Sequence, residues 1–275
     1  MTDIKGLGYV KIQTADMDRW RTFAFDVLGF AQGSGPDENA LYLRMDERAA
    51  RITVVPGDSD AVVTIGWEVR DHAALVRVQE AVTAAGIAVK PLSVEEADAR
   101  RVEEVITFQD PTGATLEIFH GAVLDHSPVV TPFGAKFVTG AQGLGHVVLP
   151  TMDPNGAFGF YTDVLGFLPR GAGIRNAPHG GAPGLVHIMV EVDTLDAVGQ
   201  ALDRVTKDGF SVSSTLGRHT NDKMVSFYVR APGGWDVEFG TEGMRVDETY
   251  YTAEEITADS YWGHDWSGSE PLAAM

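Results

Sequence analysis

Cysteine is absent from the 275 residues, which excludes disulfides, thiolate metal sites and a cysteine nucleophile. Basic side chains are scarce. Against 39 Asp and Glu stand 21 Lys and Arg, a formal charge of -18, so neither nucleic acid nor an anionic membrane meets the basic patch it needs. No apolar run reaches the roughly 18 residues that span a bilayer. The opening MTDIKGLGYV lacks the basic-then-apolar pattern of a secretory signal, and the expected location is the cytoplasm. What is plentiful is ordinary: 44% hydrophobic and 22% charged residues suit a globular fold with a full core, in one large domain or two modest ones.

Internal self-similarity organises the chain. Leu7-Gly8-Tyr9-Val10, followed by Asp26-Val27-Leu28-Gly29-Phe30, recurs without a gap as Leu144-Gly145-His146-Val147, followed by Asp163-Val164-Leu165-Gly166-Phe167. Glu68-Val69 lines up with Glu191-Val192, and Pro111-Thr112-Gly113 with Glu117 lines up with Pro232-Gly233-Gly234 with Glu238. Four correspondences in one order point to a gene duplication. Each copy reads as a strand, a helix stopped by glycine (16–28 and 154–165), and then further strands. A second amphipathic helix, 73–85, ends at Gly86. The expected fold is α+β: two tandem modules, 1–136 and 137–275, each a pair of βαβββ units forming a curved mixed sheet between half-barrel and barrel. The stretch from Gly121 to Ala141, rich in Pro, Gly and Thr, joins them.

Equivalent positions differ in a chemically pointed way. His146, His187 and Glu238 of the second copy stand where the first has Tyr9, Thr64 and Glu117. A lone strand histidine is ordinarily a hydrogen-bonded core residue, and a lone strand glutamate a solvated one. All three here fall on strands with alternating faces, and both imidazoles are missing from the other copy. Two imidazoles and one carboxylate with open positions form the set suited to non-haem Fe(II).

The run Gly217-Arg218-His219-Thr220-Asn221-Asp222-Lys223-Met224-Val225-Ser226-Phe227-Tyr228, with Pro232-Gly233-Gly234 and Asp236-Val237-Glu238-Phe239-Gly240 after it, resembles the signature of the type I extradiol ring-cleavage dioxygenases. These belong to the vicinal oxygen chelate superfamily, and the strongest likeness is to its dihydroxybiphenyl and steroid-catechol branch. The resemblance covers nearly the whole chain, including LYLRMDE and YWGHDW. It implies Fe(II), rather than Mn(II), held by His146, His187 and Glu238, and cleavage of an aryl-substituted catechol by O2. It further implies His219 and Tyr228 as catalytic residues lining the substrate and oxygen pocket, with Asn221 and Asp222 beside them on the substrate side. Relatives are commonly homo-oligomers, which sets the same expectation here. Lys223 matches no family role. Tyr250, Tyr251, Tyr261 and Trp262 either cover a hydrophobic pocket or pack on the exterior.

One departure stands out. Copy one spends Phe30 to Thr64 on two strands and their turns, whereas copy two has only LPRGAGIRNAPHGGAPGLVH between Phe167 and Ile188, too short and too rich in Gly and Pro for two strands of about five residues with turns. The family carries a proton-shuttling histidine in this region. No residue here matches it, and His179 reads as a surface side chain. Either the sheet is shortened, with acid–base chemistry impaired or rerouted, or the sequence closes over a gap near Ile174 to Asn176. Two rival functions remain: a glyoxalase-like metal lyase, which adds a fourth protein ligand not found here, and a non-enzymatic aromatic-binding module.

Overall fold

The computed structural model describes residues 2–169, 184–247 and 255–269. The first copy opens with β1 (Ile4–Thr14), then α1 (Met17–Arg21), whose end loosens into π-helical turns over Thr22–Leu28. Three strands follow: β2 (Ala31–Gln32), β3 (Leu41–Arg44) and β4 (Ile52–Pro56). A second unit repeats the plan with β5 (Ala61–Val69), α2 (His72–Ala84), β6 (Lys90–Pro91), α3 (Val94–Ala99), β7 (Glu104–Gln109) and β8 (Thr115–His120). In the second copy β9 (His146–Val148) leads into α4 (Pro154–Gly159), again prolonged by π turns over Phe160–Val164. Then come β10 (His187–Glu191), α5 (Leu195–Lys207), β11 (Val212–His219), β12 (Val225–Arg230) and β13 (Asp236–Thr241). A short β14 (Ser260–Trp262) completes the order.

The eight-stranded sheet runs β2-β3-β4-β1-β5-β8-β7-β6 and the six-stranded one β14-β11-β12-β13-β10-β9. Both mix parallel and antiparallel pairs, and neither closes among the described residues. The α+β expectation holds, at the open end of the half-barrel-to-barrel range. Register carries the duplication down to single residues. Lys11 faces Thr64 and Gly66 faces Glu117 in the first sheet, while Val148 faces His187 and Met189 faces Glu238 in the second. The segment between Leu168 and Val186, with His179 and the possible break near Ile174, falls largely outside the described residues.

Local chemistry explains the matched helices. Asp16 and Asp153 cap α1 and α4 by accepting from the Arg19 and Gly156 amides at 2.9 and 3.0 Å, the usual N-cap arrangement. Gly29 (φ 79°) and Gly166 (φ 72°) end them in the left-handed region that a side chain disfavours. The short α3 escapes hydrophobic-periodicity reading, yet Ser93 and Glu96 form a capping box around its first turn. No helix of the described residues is long and apolar enough to cross a membrane.

One apolar core runs through both copies. Trp20 of α1 lies 5.5 Å from Trp235, Phe23 lies 5.1 Å from Phe210, and Phe30 stacks on Phe137 at 4.8 Å. In the opposite direction Tyr161 of the second copy donates to the Asp110 carboxylate at 2.8 Å. Helical segments of the two copies therefore pack on one another and on the loops that flank the other copy's strands.

Copy one also buries an ion pair. Arg51 donates to Asp46 through Nε (2.9 Å) and Nη2 (2.6 Å) and to the Gly8 carbonyl through Nη1 (3.0 Å). Burial raises the Asp46 carboxyl, but the Arg51 guanidinium outweighs it and holds the group below its ordinary value. Asp46→Ala leaves a buried guanidinium uncompensated and is expected to lose about 3–5 kcal/mol in denaturant unfolding. Because the folded value is depressed, the Asp46 contribution is present above the unfolded value and is lost as pH falls below about 4. The wild type should therefore lose this increment in acid while D46A does not.

Candidate metal centre

Glu238 sits in the middle of β13, between β10 and β12, and its side chain is 1% exposed. A carboxylate taken out of water this far needs partners, and the neighbouring strands supply them. Oε2 lies 3.5 Å from His146 Nε2 and 3.4 Å from His187 Nε2, while Oε1 lies 3.4 Å from His219 Nε2. Ser226 donates its hydroxyl to Oε1 at 2.7 Å. Burial alone would raise the carboxyl, yet the imidazoles around it hold Glu238 well below the usual carboxylate range.

His146 Nε2 and His187 Nε2 are 3.2 Å apart. Two neutral imidazole acceptors do not face each other at that distance without a proton or a cation between them. With Glu238 Oε2 they form a triangle of donors 3.2 to 3.5 Å on a side. Ligand atoms about 2.0–2.2 Å from one ion are spaced about this far apart, so the residues present fit a divalent cation. Burial pushes the His187 imidazole down despite Glu238, which favours the neutral form that a metal needs. The position before His146 must be glycine: Gly145 has φ 139°, and a Cβ there would come within 2.1 Å of the Met189 carbonyl oxygen.

His219 and Tyr228 stand next to this triangle. Tyr228 faces Glu238 across the β12–β13 pair, and its hydroxyl is 2.8 Å from His219 Nε2. His219 Nδ1 is 3.2 Å from the Asp259 carbonyl, an oxygen that only accepts, so Nδ1 carries the proton and Nε2 faces the centre. Burial lowers the His219 imidazole, but Glu238 outweighs it and brings the value up to about 8. Burial and Glu238 raise the Tyr228 phenol well above its ordinary value, so it remains a proton donor at neutral pH.

The other sequence candidates lie outside the triangle. Asp222 lies in the turn between β11 and β12, where its carboxylate accepts from the Met224 amide at 3.1 Å; Asn221 is exposed on the same turn. Lys223, which matched no role, holds that turn by donating to the Thr220 carbonyl and the Tyr261 hydroxyl, both at 2.6 Å. Tyr261 and Trp262 are exposed, and Tyr250 and Tyr251 lie outside the described residues. The tail instead contributes residues that the motif reading passed over. His264 stacks on His219 with ring centroids 3.9 Å apart, and Trp266 lies 4.7 Å from the Tyr228 ring. Ser226 was also missed, although its place two residues before Tyr228 puts both on one face of β12.

Copy one meets the equivalent carboxylate with a guanidinium and a phenol. Arg100, at the end of α3, donates to Glu117 through Nε and Nη2 at 2.7 and 2.6 Å, and the Tyr9 hydroxyl donates to the same carboxylate. A guanidinium stands where the second copy gathers imidazoles.

The chain is similar over most of its length to proteins of known activity. Residues 7–57 match the family model described as dihydroxybiphenyl dioxygenase BphC D1. Residues 168–239 match the glyoxalase/bleomycin resistance protein/dioxygenase superfamily. An iron-dependent extradiol dioxygenase of Rhodococcus jostii (strain RHA1) is 44% identical over 298 aligned positions, covering 98% of this chain and 99% of that protein. That alignment is longer than the 275 residues of this chain, so the relative carries residues that are absent here. A biphenyl-2,3-diol 1,2-dioxygenase of Paraburkholderia xenovorans (strain LB400) is 38% identical, with 95% of each covered. Among solved structures, the halotolerant catechol dioxygenase BphC superposes with a TM-score of 0.89 at 30% identity, covering 96% of this chain and 95% of that one.

Ser226 supplies a direct check of the centre. Ser226→Ala removes the hydroxyl on Glu238 Oε1 and is expected to weaken divalent-cation binding about 10–100-fold, the usual cost of an outer partner. Equilibrium dialysis against Fe(II) or Mn(II) measures it, with the far-ultraviolet circular dichroism unchanged.

Proposed function

We propose that this chain, which belongs to the extradiol dioxygenases, opens an aryl-substituted catechol such as 2,3-dihydroxybiphenyl with O2, using Fe(II) held by His146, His187 and Glu238. Family membership rests on relatives 38 to 44% identical over nearly their whole length, and its general content is that of an oxidoreductase acting on catechols with a metal and O2. The single observation that carries the assignment of residues is the triangle of two imidazole nitrogens and one carboxylate oxygen at 3.2 to 3.5 Å.

When bound, the iron supplies a Lewis-acidic centre that acidifies a chelating catechol and passes electron density to O2. The chain's own residues do the rest. Glu238, His146 and His187 would hold the ion with three protein ligands, and positions would remain for a chelating substrate and O2. Tyr228, kept protonated, donates a hydrogen bond where negative charge develops on a substrate oxygen. His219, held by the Asp259 carbonyl, presents Nε2 to the same oxygens and can give or receive a proton there. The turn carrying Asn221 and Asp222 fixes the end of β11 from which His219 projects. Glu238, His219 and Tyr228 are themselves buried, and their removal from water strengthens each of these interactions.

The division into an N-terminal module, 1–136, degenerate and without metal at Glu117, its counterpart of Glu238, and a catalytic module, 137–275, belongs to the same proposal. So do a homo-oligomeric state, to be read by light scattering, and a cytoplasmic location. The short segment before His187 favours one competing reading, a member that binds aromatics and iron but turns over poorly for want of a proton-shuttling histidine.

The test is anaerobic reconstitution with Fe(II), followed by oxygen uptake and visible absorbance on adding 2,3-dihydroxybiphenyl. The expected outcome is a yellow product with one O2 consumed per substrate. Iron bound without turnover would instead establish the impaired reading. Tyr228→Phe is expected to lower kcat about 100-fold with KM changed far less, because its hydrogen bond serves the developing charge. Glu238→Ala should abolish iron binding at micromolar concentrations, and iron retained by that variant would overturn the assignment.

A further inference from the structure

We propose that the N-terminal copy carries a second divalent-cation site, built by His72, Glu104 and His120 and suited to a borderline ion such as Zn2+. His72 is the first residue of α2, Glu104 the first of β7 and His120 the last of β8. Glu104 and His120 are direct partners across the antiparallel β7–β8 pair, so the sheet itself sets two of the three. His120 and Glu117 are three apart on β8 and point to opposite faces. The cluster therefore lies on the helix side of the sheet, away from the cleft that holds Glu117.

The donor atoms already converge. Glu104 Oε2 is 2.6 Å from His72 Nδ1 and 3.0 Å from His120 Nε2, and all three donor atoms lie within 4.8 Å of one another. Two imidazoles and a carboxylate around one ion require separations of about 3–3.5 Å. His72 and Glu104, with side chains 67% and 42% exposed, have room to adjust, whereas His120 at 8% is fixed. The second ring nitrogen of His120 has its own carboxylate nearby, Glu103 Oε2 at 3.7 Å from Nδ1, placed to orient the ring as metal-bound histidines are oriented elsewhere. Two nitrogen donors and one oxygen with a solvent-facing fourth position suit zinc, and nickel or copper by the same donors.

The fold does not require these side chains. In the second copy the first residue of the matching helix is Leu195, the first of the matching strand Val225, and the last of its partner Thr241. Nothing there can bind an ion. The three residues are a feature of the first copy alone, and an ion bound by them would tie the start of α2 to the β7–β8 edge.

Equilibrium dialysis of the full-length, metal-free protein against Zn2+ tests the proposal. Wild type is expected to bind two equivalents, and His72→Ala one. The double variant H146A/H187A, which lacks the catalytic imidazoles, should keep one equivalent and lose it when H72A is added. Its melting temperature should rise with Zn2+ and stop rising in the triple variant. An H72A variant that binds as many equivalents as wild type, or an H146A/H187A variant that folds and binds none, would overturn the site. Should H146A/H187A fail to fold, the comparison of wild type with H72A decides alone. Because the readout is zinc at the first copy, it stands apart from whether iron and catechol behave as proposed at the second.

Discussion

The burial of Glu238 is the constraint around which the second copy is arranged. A carboxylate at the centre of a sheet is costly unless several donors or a cation face it. The chain meets that demand from four strands: His146 from β9, His187 from β10, His219 from β11 and Ser226 from β12. No one of these residues could do so alone. Their convergence depends on the register of the sheet, which sets Met189 opposite Glu238 and Val148 opposite His187. A slip of one residue in either pair would turn an imidazole to the opposite face.

The first copy shows that the same backbone position has another solution. Glu117 is buried as deeply, but its charge is met by the Arg100 guanidinium with help from Tyr9. A guanidinium is permanently charged and fills its space with a planar fork, so it compensates the carboxylate at the expense of any open position. Imidazoles compensate only when protonated or when an ion joins them. That difference separates a structural pair from a centre able to exchange ligands, and it follows from the source of the partners: a helix end in the first copy, neighbouring strands in the second.

Much of this was legible in the chain itself. The duplication, the two-unit plan of each copy and the residues facing Glu238 from β9 and β10 follow from matched blocks and strand alternation, because period-two patterns fix faces once one position is known. His219 and Tyr228 needed the family motif, since their meeting depends on a turn at Lys223 with φ 64° that no periodicity encodes. Ser226 could have been read from its spacing to Tyr228. His264 could not: it reaches His219 from a tail whose path is set by tertiary packing and by the pairing of β14 with β11. The π-helical turns after α1 and α4 were also invisible, since a widened turn keeps the same apolar composition as an ordinary one.

Strand anchoring also grades the three residues of the metal triangle. Glu238 lies on a strand with neighbours on both sides, and its side chain is 1% exposed. His187 is on β10, again between two strands, and is 14% exposed. His146 is on β9, which among the described residues pairs only with β10, and it is 39% exposed. In the first copy the equivalent strand β1 is flanked by β4 as well as β5. Among the described residues, His146 therefore has the least backbone pairing to hold it, on a strand of three residues. A bound ion would in turn stabilise that strand, since it links His146 to the two residues that the sheet already holds in place.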